Sequence, residues 1–447
     1  MAEKQNIAII GAGLAGMSAA WDLVRAGHSV TLYEAADRVG GLASGFKGEN
    51  WDWTLEKFYH HWFEGDSDML GLVEEIGHSS KVIFKRPKTS FWVNGDIVRS
   101  EIEPISVLML PMSLPGKLRF MLGGAFVKLT PFWRQLEKYS ADAWCQQWMG
   151  SEGYERFFKT LLMGKFGEYY DDVNMAWLWA RVKARSLKLG SFEGGFQNFL
   201  DLLGEAITEK GATICLNSPV EEIGLDNLKP TVTVNGETTV YDHVISTTSP
   251  RIMLKMTPRL QDTAYGDQMT ALESIGGLCV VFALKQELMT DGTYWLNLPA
   301  VSPDYHDNEF PYLALVEHTH FMDKSHYNGD HIVYCGDYVN PDHDYFKWSD
   351  EELYEHFLPS LKKVNPNFER DWVRDWWVFR APYAQPIPKV NHSQNLPDLQ
   401  TPLPGVIWAS MSQIYPWDRG TNFSVEIGRR VARIILGEET RTTAVID

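Results

Sequence analysis

Cysteine is scarce in this chain: Cys145, Cys215, Cys279 and Cys335 are the only four in 447 residues, with no C-x-x-C pair and no metal-ligand spacing. That excludes a disulfide framework and a zinc cluster, and it points to free thiols in a reducing compartment. Positive charge is short as well, with 41 Lys and Arg against 58 Asp and Glu, a formal net charge of −17 and no basic stripe to offset it. Nucleic acid is thereby excluded as a partner, as is non-specific attraction to an anionic membrane. No apolar run is long enough to cross a bilayer, and the chain enters an apolar strand too early to leave room for a signal peptide, so cytoplasmic residence is expected. Internal repeats, low-complexity tracts and a second Gly-x-Gly-x-x-Gly are missing too.

What is there is a globular composition, 44% apolar and 22% charged, in a chain too long for one simple core. Two domains are expected. Residues 6–10 read as a buried parallel strand that runs straight into Gly11-Ala12-Gly13-Leu14-Ala15-Gly16, after which Ala15, Ala19, Leu23 and Ala26 recur at helical spacing. Residues 29–33 form the second strand of a βαβ unit. In such a unit Gly11 makes the tight turn, Gly13 removes the side chain where a pyrophosphate approaches, and Gly16 lets the helix pack against the strand. Ala12, Leu14 and Ala15 surround the phosphates with the free N–H groups of the helix start. Glu34, with Ala35 beside it, ends the second strand, where a carboxylate accepts from a ribose 2′-hydroxyl and repels a 2′-phosphate. A dinucleotide other than NADP is expected.

Arg38-Val39-Gly40-Gly41-Leu42 then supplies a cation and two glycines for a second pass along the pyrophosphate. Together these motifs resemble the GxGxxG…E…RxGG signature of the flavin amine oxidase superfamily. That superfamily includes protoporphyrinogen oxidases, phytoene-type desaturases and, more distantly, UDP-galactopyranose mutases. The resemblance makes FAD the cofactor and implies an α/β fold. A Rossmann-type FAD-binding domain would take residues 1–62, 190–260 and 385–440, and a discontinuous second α+β substrate domain residues 63–189 and 261–384.

The resemblance also assigns residues further along. Val220 stands where the superfamily presents a valine backbone to the adenine. Near the C-terminus residues 405–409 read as a strand and 421–436 as a helix, with Val425, Ile427, Val431 and Ile434 among its apolar positions. Relatives set the ribityl chain and pyrimidine edge of the flavin against the start of this helix, here Thr421 and Asn422, whose positive end suits a reduced flavin. The Gly-Asp that usually follows the strand is replaced by Ser410 and Met411. Ser410, or Asp418 beside Trp417, is left to make the ribityl contact.

Chemistry is expected where residues 55–63 pass the isoalloxazine. Lys57, Tyr59 and His60 are candidates for orienting the ring or substrate, and a histidine moves protons near neutral pH. Aromatic packing between domains is the competing reading. Arg380, Tyr383 and Gln385 either line the cavity beside the flavin or pack between domains. A metal is not expected: Glu317-His318-Thr319-His320 would put two imidazoles on one face of a strand but lacks further ligands, and Asp342-His343-Asp344 reads as a polar loop. Helices are expected at 68–76, 141–149 and 154–163 and strands at 278–284, 312–316 and 332–334, with Pro382 to Pro388 as an extended return crossing.

The function this implies is an FAD-dependent oxidoreductase that removes a hydride from a C–H bond of a small, lipophilic organic substrate. It would resemble a desaturase, protoporphyrinogen oxidase or amine oxidase and pass electrons to oxygen, a quinone or another carrier. His60 also aligns with the flavin-facing histidine of UDP-galactopyranose mutases, so non-redox chemistry on a nucleotide sugar is the enzymatic alternative. Such a site would gather arginines, and Arg156, Arg181 and Arg185 occur without diagnostic spacing. A non-catalytic flavin-binding protein is the reading of another class. Residues 105–133, rich in Met, Leu and Phe, are either short helices of the substrate domain or a peripheral membrane contact and lipophilic entry channel at the inner face of a membrane.

Overall fold

A computed structural model describes residues 3–99 and 112–445. Within them a five-stranded parallel sheet runs in the order Thr213–Cys215, Ser29–Tyr33, Asn6–Ile10, His243–Ser246, Val406–Trp408. Alternation along the central strand explains why it is apolar throughout. Ile7 and Ile9 pack under the helices Leu14–Arg25, Phe196–Glu209 and Thr421–Ile435. Ala8 and Ile10 face the opposite layer with Ile223, Val232 and Met253. Both faces are covered, so each isoleucine is fully buried, worth about 1.5–3 kcal/mol apiece relative to exposure.

A second, seven-stranded sheet follows the order Val373–Pro386, Ser274–Leu284, His331–Val339, Ala314–Glu317, Thr293–Asn297, Lys88–Val93, Asp96–Arg99. Its pairs are antiparallel except Thr293–Asn297 with Lys88–Val93. One face buries Leu278, Val280 and Phe282 beneath the helix Asp350–Val364. The other buries Cys279, Val281 and Tyr334 against Phe46, Trp51 and Leu55 from the segment that leaves the nucleotide loop. Helices Leu114–Leu129, Ala141–Met149, Lys159–Phe166 and Met175–Ala184 form a layer around Trp144, Phe166 and Trp177.

Several expectations are corrected. The helix expected at 154–163 begins as a π-helical turn, Tyr154–Phe158, and becomes α-helical only over Lys159–Phe166. The strands expected at 278–284 and 332–334 extend to Ser274–Leu284 and His331–Val339, because both are central to the sheet and buried along nearly their whole length. Pro382 to Pro386 closes the strand Val373–Pro386 and is not a separate crossing. His318 and His320 lie in a 3-10 turn and not on a strand. His318 Nε2 shares a proton with the Tyr327 hydroxyl (2.9 Å), and His320 is held by Thr293 O and Glu287. All four cysteines are free. Residues 105–111 of the apolar segment lie outside the described residues, and among those described no helix is long and apolar enough to cross a membrane.

Candidate functional site

Two glycine loops lie side by side at the C-terminal edge of the parallel sheet. Gly11 adopts φ +99° and donates its N–H to Tyr33 O at 2.8 Å, while a Cβ there would reach Thr247 Oγ1 at 2.5 Å. A Cβ on Gly16 would run into Gly11 O, so only glycine lets the helix sit this close. Around Gly13 nothing lies within 4 Å of where a Cβ would be, and the helix it opens has no side-chain cap. Open space thus meets free N–H groups, the arrangement a pyrophosphate needs. Gly40 donates to Ala12 O at 2.8 Å and bridges to Gly13, and a Cβ on Gly41 would stand 3.4 Å from Gly13 Cα.

Glu34 braces this cradle, accepting from Ala12 N (2.8 Å) and Ala36 N (2.9 Å). Arg38 turns to its own loop, donating to Asp37 and to Gly45 O (3.2 Å). Ser218 and Asn217 donate to Glu34 O and Ala36 O and so bring Val220 alongside, while Ala35 is exposed there. At the far end Gly420 caps the helix Thr421–Ile435 with no side-chain bond, leaving its first N–H groups available. Ser410 and Met411 form a turn in which Ser410 Oγ accepts from Ser412 N at 3.3 Å. Trp417 stacks on Phe423 with centroids 5.4 Å apart. Asn422 Oδ1 accepts from Asp68 N and Met69 N and caps the helix Ser67–Glu75. The cradle and uncapped helix start fit FAD.

Between these ends lies a cavity of about 50 Å³ lined by Leu42, Phe58, Tyr59, His60, Gly277, Leu278, Cys279, Gly336, Asp337, Tyr338, Ala384 and Arg419. A larger, open depression of about 550 Å³ around Tyr265, Gln268 and Asp398 shares no residue with the cradle. His60 Nδ1 donates to Phe58 O at 2.6 Å, since a carbonyl only accepts, and Nε2 is left as an unprotonated acceptor. Burial, with Arg419 adding to it, pushes His60 down to about 4, so it is neutral at pH 7. Burial likewise raises the Tyr59 hydroxyl well above its ordinary range. Asp337 is buried; its Oδ1 accepts from Tyr338 N (2.7 Å) and its Oδ2 has no hydrogen-bond partner among the described residues. Burial raises that carboxyl well above the usual range.

The other candidate side chains are not among the residues that line this cavity. Lys57 is not among the lining residues and sits in the field of Arg38 and Asp37; burial and then Arg38 lower it. Arg380 is not among them either, because its donors go to Tyr345 O, Trp348 O and Asp350. Tyr383 shares its hydroxyl with Ser410 and Ser412 at 2.7 Å each, tying the long strand to the turn before the C-terminal helix. Asp418 is spoken for: it meets Arg181 at 3.3 Å, Lys165 at 3.6 Å and Gln385 Nε2 at 3.2 Å. Burial would raise its carboxyl, but Lys165, Arg181 and Arg419 outweigh burial and hold it below the usual range.

Asp337, Lys165 and Arg419 were not singled out from the chain. A signal existed for two of them: Asp337 is the one acid in the strand His331–Val339, and Lys165 sits near the end of a largely apolar helix. The expected polar loop at His343 brings it near Asp304 and His306. His343 Nδ1 accepts from Tyr345 N, which leaves its proton on Nε2 and argues against a metal there.

Comparison with known proteins places this geometry. The family model for flavin containing amine oxidoreductase matches residues 14–436. The 15-cis-phytoene desaturase of Synechococcus elongatus is 26% identical over 249 residues, 50% of this chain and 51% of that protein. The chain covers about half or less of the length of the curated relatives it matches. Reduced UDP-galactopyranose mutase superposes with TM-score 0.75 at 18% identity, covering 99% of this chain and 96% of that one. Cyclohexylamine oxidase from Brevibacterium oxydans superposes with TM-score 0.72 at 16% identity, covering 98% and 99%. At these identities the two structures share the fold with this chain.

Proposed function

The chain belongs to the flavin-containing amine oxidoreductase family, with FAD as its cofactor, and from that premise we propose that it removes a hydride from a C–H bond of an organic, lipophilic substrate to leave a double bond or an imine. The observation that carries this reading is the cavity, where Leu42 of the cradle meets the two central strands of the second sheet and the loop before the C-terminal helix. Residues 1–62, 190–260 and 385–440 are read as the FAD-binding part and 63–189 with 261–384 as the substrate part. Bound in the cradle, FAD supplies the hydride acceptor.

The chain's own side chains do the rest. Phe58, Leu278 and Ala384 exclude water and press the substrate into place. His60, neutral with a free Nε2, accepts a hydrogen bond that orients the substrate, and Asp337 brings a buried carboxyl, with Tyr305 acting on it, to the cavity wall. A lipophilic substrate is supported by the exposed row Leu114, Leu118, Leu122 and Leu129 on one helix, which also supports contact with a membrane surface. The electron acceptor is oxygen, a quinone or another carrier.

Anaerobically reduced protein mixed with oxygenated buffer in a stopped-flow instrument tests the reading. Rapid return of the oxidised flavin spectrum is the result for an oxidase. Slow return together with flavin bleaching by an organic substrate identifies a desaturase with another acceptor. No bleaching by any C–H donor, with turnover of a nucleotide sugar only in the reduced state, overturns it in favour of mutase-like chemistry.

A further inference from the structure

Four basic side chains from three separate segments converge beside the cavity around a single carboxylate. Lys165, in the last turn of the helix Lys159–Phe166, and Arg181, in the last turn of Met175–Ala184, both reach Asp418 Oδ2. Arg419 lines the cavity, donates Nε to Gln385 Oε1 at 3.0 Å and bonds the Tyr338 hydroxyl. Arg185, capping the Met175–Ala184 helix, makes no hydrogen bond or ion pair with any described residue. It is exposed to solvent, and repulsion from Arg181 pulls it down to about 9.

Among the described residues Asp418 is the carboxylate that meets this gathering, and its one negative charge does not balance Arg181, Arg185 and Arg419. His60 and His61, which feel Arg419 and Arg185, are neutral and offset nothing. The negative ends of two helices help Lys165 and Arg181, but the uncapped start of Thr421–Ile435 adds positive potential from the other side. Packing like charges this closely costs free energy unless an anion joins them. A reduced flavin brings one negative charge at its ring, which leaves the cluster still in excess.

We propose that Arg185, Arg181 and Lys165 bind a phosphoryl or diphosphoryl group carried by the substrate, whose reacting carbon reaches the cavity beside His60. The planar guanidinium forks of Arg181 and Arg185 match phosphate oxygens in pairs, and Lys165, which burial pulls well below its ordinary value, stands behind them as a hydrogen-bond donor. The substrate is then an amphiphile or a conjugate with a charged head and an organic body. A prenyl diphosphate and a nucleoside-diphosphate sugar both carry this head. The proposal rests on the cavity being where substrate meets FAD, and it holds whether the chemistry there is redox or not.

Calorimetric titration of the FAD-loaded protein with inorganic pyrophosphate, UDP, farnesyl diphosphate and uncharged farnesol tests it without turnover. Pyrophosphate and one of the organic diphosphates are expected to bind, UDP marking a nucleotide source and farnesyl diphosphate a lipid one. Arg185→Gln should weaken that binding by about tenfold to a hundredfold. Because Arg185 has no hydrogen bond or ion pair among the described residues, the variant should keep its flavin content, and Arg185→Lys should recover part of the affinity. Diphosphates binding no better than farnesol, or binding Arg185→Gln as tightly as the parent, would overturn the proposal. Failure of the hydride-transfer reading would show separately, as a flavin that no substrate bleaches.

Discussion

The ring of Tyr59 fills the space that a side chain at position 336 would need: a Cβ built on Gly336 overlaps it. Tyr59 is held there edge-on to Trp295 and Tyr334, with centroids 5.0 and 5.8 Å away, so it has little room to retreat. A central strand of the second sheet is thereby bared of side chains where the cavity forms. Gly336→Ala should cost about 1–3 kcal/mol of stability by overpacking and close part of the cavity. Denaturant unfolding of the holoprotein and the KM for any substrate found should both register the change; an unaltered KM would mean that Tyr59 does not shape the site.

The cradle makes a paired prediction. Gly16→Ala places a Cβ against the backbone oxygen of Gly11, which cannot move without breaking the turn, and the purified protein should lack the flavin spectrum. Gly13→Ala enters open space, so the chain should fold normally while FAD binds more weakly. The ratio of flavin to protein absorbance, read beside the melting temperature of the apoprotein, separates loss of fold from loss of cofactor.

Asp337→Asn keeps the oxygen that accepts from Tyr338 N and removes the ability to exchange a proton at the uncommitted position. If Asp337 takes part in proton transfer, kcat should fall by about 10²–10⁴-fold with flavin content unchanged. A variant with unchanged kcat at every pH would assign that carboxyl to the sheet alone.

Acid should destabilise the protein through its buried histidines. Burial pushes His60 down to about 4 and His61 and His318 to about 3, so each stays neutral when folded and gains a proton near pH 6.5 when unfolded. The unfolded state then binds more protons, and stability falls as pH drops below about 6.5, levelling only near the folded values. Glu56, raised to about 7 by burial, acts oppositely: it favours the folded state below its unfolded value near 4.5 and loses that contribution as pH rises through 7. Urea midpoints between pH 4 and 8 should show the histidine fall more cleanly in Glu56→Gln, and a flat profile in that variant would contradict neutral buried histidines.

The exposed leucine row invites a surface test. Leu118→Glu with Leu122→Glu should change stability by about 0.5 kcal/mol or less, because both side chains are already in solvent. The same pair should abolish co-sedimentation with neutral phosphatidylcholine vesicles, chosen because the net charge of −17 disfavours anionic ones. Equal sedimentation of parent and variant would remove the membrane from the reading.

By itself the sequence determined what short-range geometry encodes. Gly11, Gly13, Gly16, Glu34, Gly40 and Gly41 lie within a few dozen residues, and each is demanded by a local turn, a close approach or a strand end, so their spacing alone describes a cradle for a dinucleotide. The buried strands were legible for the same reason, since alternation and apolar runs report burial along one element, though strand ends were not, because they depend on the neighbouring strand. Only the tertiary structure decided what surrounds the cavity. Arg380 and Lys57 looked as suited to the site as His60, but Arg380 found Asp350 and two carbonyls, and Lys57 settled near Arg38. Lys165, Arg181, Arg185, Asp337, Asp418 and Arg419 come from helices, a strand and a loop far apart in the chain. Their electrostatic partnership is a matter of distances in space, which no periodicity along the chain records.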